Sequence, residues 1–310
     1  MSAINPFLYT AGPANFKLKL IKQNRLWHYY LVDLPVVSAN RFPNGETAHG
    51  EYFEPIVKEN VPLLIMIHGW GDHSVLPFKW MVAGLVKRGF ACFILYLPFH
   101  TSSLPPEMKP RLSHLTPEEW FTGYQMAVTD VMRIGDWAEQ NKGINQAQVS
   151  VITLSLGAIV GSIAMGLDKR IKAGVFMVHG GNTGKIMQTN SVSRFGKQFR
   201  QLPDIYVQNQ KKYLDYLDEI ATKGFDNVLP AQNNYLIDPL TYAPMLKGRP
   251  VLMINARWDE IFPKTSSADF QRACGGCKRM ILPASHASIW IWYPIIVHRI
   301  NKFLKLTYHS

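Results

Sequence analysis

The chain has 310 residues, 47% of them hydrophobic and 18% charged, with a formal net charge of +11. This composition excludes a disordered chain and gives enough apolar surface for one sizeable α/β domain, with room for an inserted segment. Lys and Arg are scattered rather than blocked and accompany no nucleic-acid motif, so the charge implies solubility and mild attraction for anions, with no nucleic-acid partner.

The start, MSAINPFLYTAGPANFKLKL, lacks the basic stretch and apolar core of a secretory signal. The aromatic run from Ile289 to Val297 is too short to span a bilayer. Three cysteines do not demand an oxidising compartment. The expectation is a soluble, cytoplasmic protein without stable membrane insertion.

In chain order, residues 16–22 (FKLKLIK) and 26–33 (LWHYYLVD) predict paired strands around a polar turn. Their partial apolar alternation suits a half-exposed antiparallel edge. A Pro/Gly/Asn-rich stretch follows, and from Val61 the pattern changes. Continuous apolar runs now appear at 63–67, 91–97, 149–154, 174–178, 250–254 and 280–282. Continuous apolarity marks strands buried on both faces, as in a parallel sheet covered by helices. Thr116, Pro117 and Glu119 match a capping box with proline at the first helical position. Trp120, Tyr124, Ala127, Val131, Ile134 and Ala138 continue that helix at helical spacing. The alternation calls for right-handed crossovers and a mostly parallel, doubly wound sheet. One connection is far longer than a crossover needs. Residues 183–247 are therefore expected to form an inserted helical cap or lid, with 1–182 and 248–310 as the core domain.

The strand VSVITL runs into Ser155 and then LGAIVGSIAMG, a strand–turn–helix passage that describes a nucleophile elbow. Such a turn lifts the serine Oγ out of the sheet's end, and small neighbours let strand and helix approach. Gly157 fills one glycine position, while Thr153 stands where glycine is usual. After LLIMI comes His68-Gly69-Trp70-Gly71-Asp72. This turn and the residue after the nucleophile can supply two oxyanion-binding amides, here Trp70 and Leu156. Each such donor typically lowers the barrier by about 3 kcal/mol. His68 is expected to be structural, with Gly69, Gly71 and Gly157. Asp259 and His286 each follow a strand, at the carboxyl ends where open α/β sheets place their sites. A histidine can take the Oγ proton, and a carboxylate can fix its tautomer.

IMIHGWGDH, VITLSLGA, GRPVLMINARWDEIFP and ILPASH resemble the four signature regions of α/β hydrolases, especially dienelactone-hydrolase-like and prolyl-oligopeptidase-like esterases. The order Ser155, Asp259, His286 is similar to that family's order. FILYLPFHTSSLPP, followed by a long helix, resembles a poorly characterised branch of it. The resemblance covers roughly residues 60 to 305. It implies an α/β-hydrolase fold with Ser155 as nucleophile, Asp259 as acid, His286 as base, and Trp70 and Leu156 as oxyanion donors. Neither cofactor nor metal is expected, and the partner is a small-molecule ester or related acyl compound. A thioesterase or peptidase using the same triad, or a non-catalytic binding protein of this fold, are the alternatives.

Other residues carry weaker signals. Cys274-Gly275-Gly276-Cys277 reads as a loop thiol pair able to form a disulfide, because zinc would need a second pair. Glu260 is a rival acid to Asp259. His100 and His179 are expected to line the pocket, with His179 a reserve base, and His298 to lie on the surface. Trp290, Trp292 and Tyr293 are expected to pack a helix.

Overall fold

A computed structural model of the chain describes residues 5–35, 42, 47–56, 60–98, 100–189 and 200–308. Part of the expected insertion, residues 190–199, lies outside these. The two N-terminal strands form as the pattern predicts. β1 (Lys17–Gln23) and β2 (Trp27–Pro35) pair antiparallel, with Lys17 opposite Asp33. β3 (Thr47–Pro55) then adds antiparallel to β2 within the Pro/Gly/Asn-rich stretch, where the sequence shows no strand pattern. Its polar residues are hidden by pairing. Glu51 is only 1% exposed, and its carboxylate meets Lys79 Nζ at 2.6 Å and the Tyr96 hydroxyl.

The alternating part follows: β4 (Val61–Ile67), α1 (Leu76–Val86), β5 (Ala91–Leu95), α2 (Pro117–Gln140), β6 (Ile144–Leu154), α3 (Leu156–Leu167) and β7 (Ile171–Met177). Next come α4 (Thr183–Met187), α5 (Pro203–Lys223), α6 (Pro239–Tyr242), β8 (Val251–Trp258), α7 (Lys264–Ala273), β9 (Lys278–Ser285) and α8 (Tyr293–Tyr308). One nine-stranded sheet results, in the order β1-β2-β3-β5-β4-β6-β7-β8-β9. β3 meets β5 antiparallel, and every pairing from β5 to β9 is parallel.

Burial on both faces explains the continuous apolar runs. Leu64, Met66, Cys92 and Ile94 face α1 and α8, packing with Phe78, Met81, Leu85, Ile296, Ile300 and Leu304. Their neighbours Leu63, Ile65 and Phe93 face the other way, into a core shared with Val128, Val131 and Ile163 of α2 and α3. The predicted capping box starts α2. The Glu119 amide donates to Thr116 Oγ1 at 3.2 Å, and the Thr116 amide donates to Glu119 Oε2 at 2.8 Å.

The described part of the 183–247 stretch carries α4, α5, α6 and short 3-10 turns joined by coil, and it buries Tyr213, Tyr216, Ile220, Tyr235 and Tyr242 in the α2–α3 core. One carboxylate ties its start to its later part. Asp238 accepts the Asn182 amide at 2.9 Å and the Thr183 hydroxyl at 2.8 Å, and caps α6 through the Leu240 amide at 2.8 Å.

The chain steps from β4 outward to β5 and then crosses back to β6, so β4 is flanked on both sides by its successors. A crevice at such a reversal is where open α/β sheets bind ligands. The Gly69–Gly71 turn, His100 and Ser155 all follow strands at this point.

Candidate active site

Ser155 links β6 to α3 with φ +50° and ψ −116°. A non-glycine residue there costs on the order of 1–3 kcal/mol, so its surroundings must hold it. The Ser155 amide donates to Met177 O at 3.0 Å, prolonging the β6–β7 ladder. Gly157 lies against the backbone of β4, where a Cβ would strike the carbonyl oxygens of Ile67 and His68. Gly69 closes the other side, since a Cβ there would lie 3.2 Å from Ser155 Cβ. Thr153, in place of the usual glycine, is accommodated by a second glycine. Its Oγ1 donates to Val175 O at 3.1 Å, and its methyl fills the space that a Cβ at Gly161 would need, 2.5 Å away.

The three residues singled out for acyl chemistry meet at the sheet's carboxyl end. His286 Nε2 lies 3.0 Å from Ser155 Oγ, and its Nδ1 lies 2.9 Å from Asp259 Oδ1. Asp259 Oδ1 also accepts the amides of Ile261 (3.0 Å) and Phe262 (2.9 Å). A carboxylate committed to accepting puts the imidazole proton on Nδ1 and leaves Nε2 to accept from the serine hydroxyl. Both partners are largely buried, His286 at 13% and Asp259 at 5% exposure. The Phe262 ring stacks on His286 at 5.7 Å with planes 8° apart. Glu260, the rival acid, takes a different place: its Oε2 accepts the backbone amide of His286 at 3.0 Å. Adjacent carboxylates thus hold the ring and the backbone of one histidine.

His68 and His100 brace the turn after β4. His68 is fully buried, and its Nδ1 donates to Gly69 O at 2.7 Å while its Nε2 accepts the Leu97 amide at 3.1 Å. His100 Nε2 accepts the Gly71 amide at 2.9 Å. Burial pulls the His100 pKa down to about 4, so the ring is neutral and able to accept at neutral pH. The Trp70 ring packs edge-on against His100 at 5.0 Å and leans on Trp120 at 5.1 Å. Leu156 opens α3, and a first-turn amide has no earlier helical carbonyl to bond.

His179 corrects one expectation. It does not line a pocket but sits fully buried in the core, 4.4 Å from Phe270 and 5.3 Å from Phe176 between ring centroids. Neither ring nitrogen has a hydrogen-bond partner among the described residues, and burial pulls its pKa down to about 3. His298 is exposed on α8. Trp290 packs on Phe78, and Trp292 donates to Pro283 O at 3.3 Å. Cys274 and Cys277 are bridged, whereas Cys92 is a buried free thiol in β5. The backbone role of Glu260 and the amide contact of His100 carry no signal in the sequence. Each is a long-range bond to main chain, 26 and 29 residues away.

No family model matches the sequence, and no curated protein matches it. Solved structures do. An acetyl xylan esterase from Paenibacillus sp. R4 superposes with a TM-score of 0.66 at 16% identity, over 95% of this chain and 89% of that one. A cold-adapted esterase from an Arctic intertidal metagenomic library gives 0.59 at 17% identity, over 93% and 99%. A glucuronoyl esterase from Solibacter usitatus gives 0.59 at 13% identity, over 97% and 89%. With its nine-stranded, mostly parallel sheet flanked by helices and these structural neighbours, the chain has the α/β-hydrolase fold.

Proposed function

We propose that the chain is a serine hydrolase that cleaves carboxylic esters through an acyl-enzyme on Ser155. The observation that carries this is the unbroken relay from Ser155 Oγ through His286 to Asp259, with links of 3.0 and 2.9 Å. His286 Nε2 takes the Oγ proton as Oγ attacks the ester carbonyl, and Asp259 stabilises the imidazolium that forms. The amides of Trp70 and Leu156 receive the oxyanion. His286 then gives its proton to the leaving alcohol, and the C–O bond breaks to leave the acyl group on Ser155. Water, deprotonated by the same histidine, releases the acid. The strained Ser155 backbone supports this assignment, because strain of this kind is retained where geometry must be fixed. So do the three structural neighbours named above, each an esterase. In the same proposal residues 1–182 and 248–310 form the catalytic core, and residues 183–247, clasped at Asp238, form a cap.

A fluorophosphonate probe tests the proposal directly. Folded protein is expected to take one adduct, on Ser155, and to hydrolyse p-nitrophenyl acetate. Ser155→Ala is expected to abolish labelling and to lower kcat by about 10⁶-fold. Absence of an adduct on Ser155 in folded protein refutes the serine mechanism.

A further inference from the structure

The outer face formed by α1 and α8 shows apolar side chains to solvent and carries no acid of its own. The two helices lie side by side and run the same way. Phe78 meets Trp290, Trp80 meets Tyr293 at 6.3 Å between ring centroids, and Gly84 lies against Val297. On α1 the buried side is Phe78, Met81 and Leu85, which leaves Leu76, Trp80 and Lys87 outward. On α8 it is Ile296, Ile300 and Leu304, which leaves Ile295, Arg299 and Lys302 outward.

The apolar residues gather at one end of this face. Leu76 and Trp80 open α1, while Ile291 and Tyr293 open α8, with Ile291 78% and Trp80 49% exposed. Lys87, Arg299 and Lys302 come about two turns further along each helix. The apolar end is also the end nearest the triad. α1 begins after the Gly69–Gly71 turn, and Ile291 follows His286 within the same short connection from β9 to α8.

Exposed apolar patches bordered by polar residues mark docking surfaces. Trp and Tyr, each an apolar ring with a polar edge, suit the boundary between water and hydrocarbon. Neither 76–88 nor 288–308 contains an Asp or Glu, so every charged residue of the two helices is basic. A second copy placed on this face by a two-fold axis sets these cations against their own kind. A negatively charged bilayer answers both features at once: acyl chains receive the apolar end, and headgroups receive the Lys and Arg.

We propose that the α1–α8 face docks on an anionic lipid surface, with Leu76, Trp80, Ile291 and Tyr293 immersed. No helix among the described residues is long and apolar enough to cross a membrane, and the proposed contact is a peripheral one, at the headgroup level. It stands whether or not Ser155 is a nucleophile.

The test is co-sedimentation of the full chain with vesicles of phosphatidylcholine alone and of equal parts phosphatidylcholine and phosphatidylglycerol. Binding to the mixed vesicles is expected, stronger than to phosphatidylcholine and weakened by salt. Each Lys or Arg near such a surface strengthens binding by about fivefold. Lys87→Gln combined with Lys302→Gln is therefore expected to weaken it by about 25-fold. Ile291→Ser is expected to weaken it by about tenfold or more. Lys17→Gln combined with Lys19→Gln removes equal charge from the exposed strand β1 and is expected to change binding less than twofold or so. Ser155→Ala is expected to bind as the native chain does. All the lysines exchanged are exposed, as is Ile291, and urea midpoints confirm folding. Absence of binding to the mixed vesicles overturns the proposal, as does equal binding to phosphatidylcholine alone. Native binding by Ile291→Ser, or equal weakening by the β1 exchange, overturns the placement on this face. Self-association abolished by Ile291→Ser, without vesicle binding, makes a second copy the occupant and overturns the lipid.

Discussion

Replacing His100 by leucine separates the bracing of the Gly69–Gly71 turn from mere packing. In the native protein His100 Nε2 accepts the Gly71 amide at 2.9 Å, and burial keeps the ring neutral by holding its pKa at about 4. Leucine fills much of the space but accepts nothing. The Gly71 N–H then loses its partner, at a cost of about 1–3 kcal/mol if it stays put. The turn is then free to rotate toward another acceptor, and any rotation carries with it the neighbouring Trp70 amide, the proposed oxyanion donor. Losing one oxyanion donor costs about 2.7–4 kcal/mol, or 10²–10³ in kcat. His100→Leu is thus expected to lower kcat for p-nitrophenyl acetate by about 10²-fold with KM little changed, because the donor acts in the transition state. His100→Gln, whose Oε1 can stand in for Nε2, is expected to restore most of it. Steady-state kinetics at neutral pH, with urea midpoints to confirm folding, read both variants. Native kcat in His100→Leu, or equal damage in His100→Gln, refutes the bracing role.

Four further outcomes follow from the same geometry. Asp259→Asn is expected to lower kcat by about 10⁴-fold, since an amide favours the wrong imidazole tautomer; Glu260→Ala, which frees the His286 backbone amide, is expected to cost about tenfold, and Glu260→Gln to recover it. Gly157→Ala drives a Cβ into the β4 carbonyls and is expected to destabilise by about 3 kcal/mol in urea unfolding, while abolishing activity. Acid should weaken the fold through the buried histidines, which bind protons near 6.5 when unfolded but only near 4 (His100) and 3 (His179) when folded. The unfolded chain holds more protons in that window, so stability is full above about pH 6.5 and falls as pH drops toward 4, by about 3 kcal/mol from His100 alone. Urea midpoints across that range should slope less in His100→Gln; an identical slope contradicts the assignment.

How much of this was legible in the sequence varies by element. Strands β4 to β8 announced themselves through apolar stretches buried on both faces, whereas β9, at the sheet's edge, showed only the short run Met280–Leu282, with Ile281 exposed. β3 did not, because its buried Glu51 is neutralised by Lys79 and Tyr96, contacts that no local pattern encodes. β6 runs from Ile144, well before its apolar stretch, because its first half is partly exposed. Ser155, Asp259 and His286 could be picked out because each ends a recognisable strand, and strand ends converge in this architecture. Glu260 and His100 could not be assigned their contacts, since both bond main chain across the fold. His179 misled for a related reason: following a strand places a residue at the site's end of the sheet but does not say whether its side chain turns outward or back into the core.

The pairing of Thr153 with Gly161 bears on how an elbow of this kind should be recognised. The steric demand falls on the sum of two side-chain volumes, one on the strand and one on the facing helix, and not on either alone. A methyl on the strand side is permitted wherever the helix gives up a Cβ eight residues later. Glycine before the serine is then one of two solutions to a shared space, and a search keyed to that single letter passes over the other. Read as a volume exchanged across the strand–helix contact, the substitution at 153 is neutral to the elbow, and the glycine at 161 becomes part of the same motif.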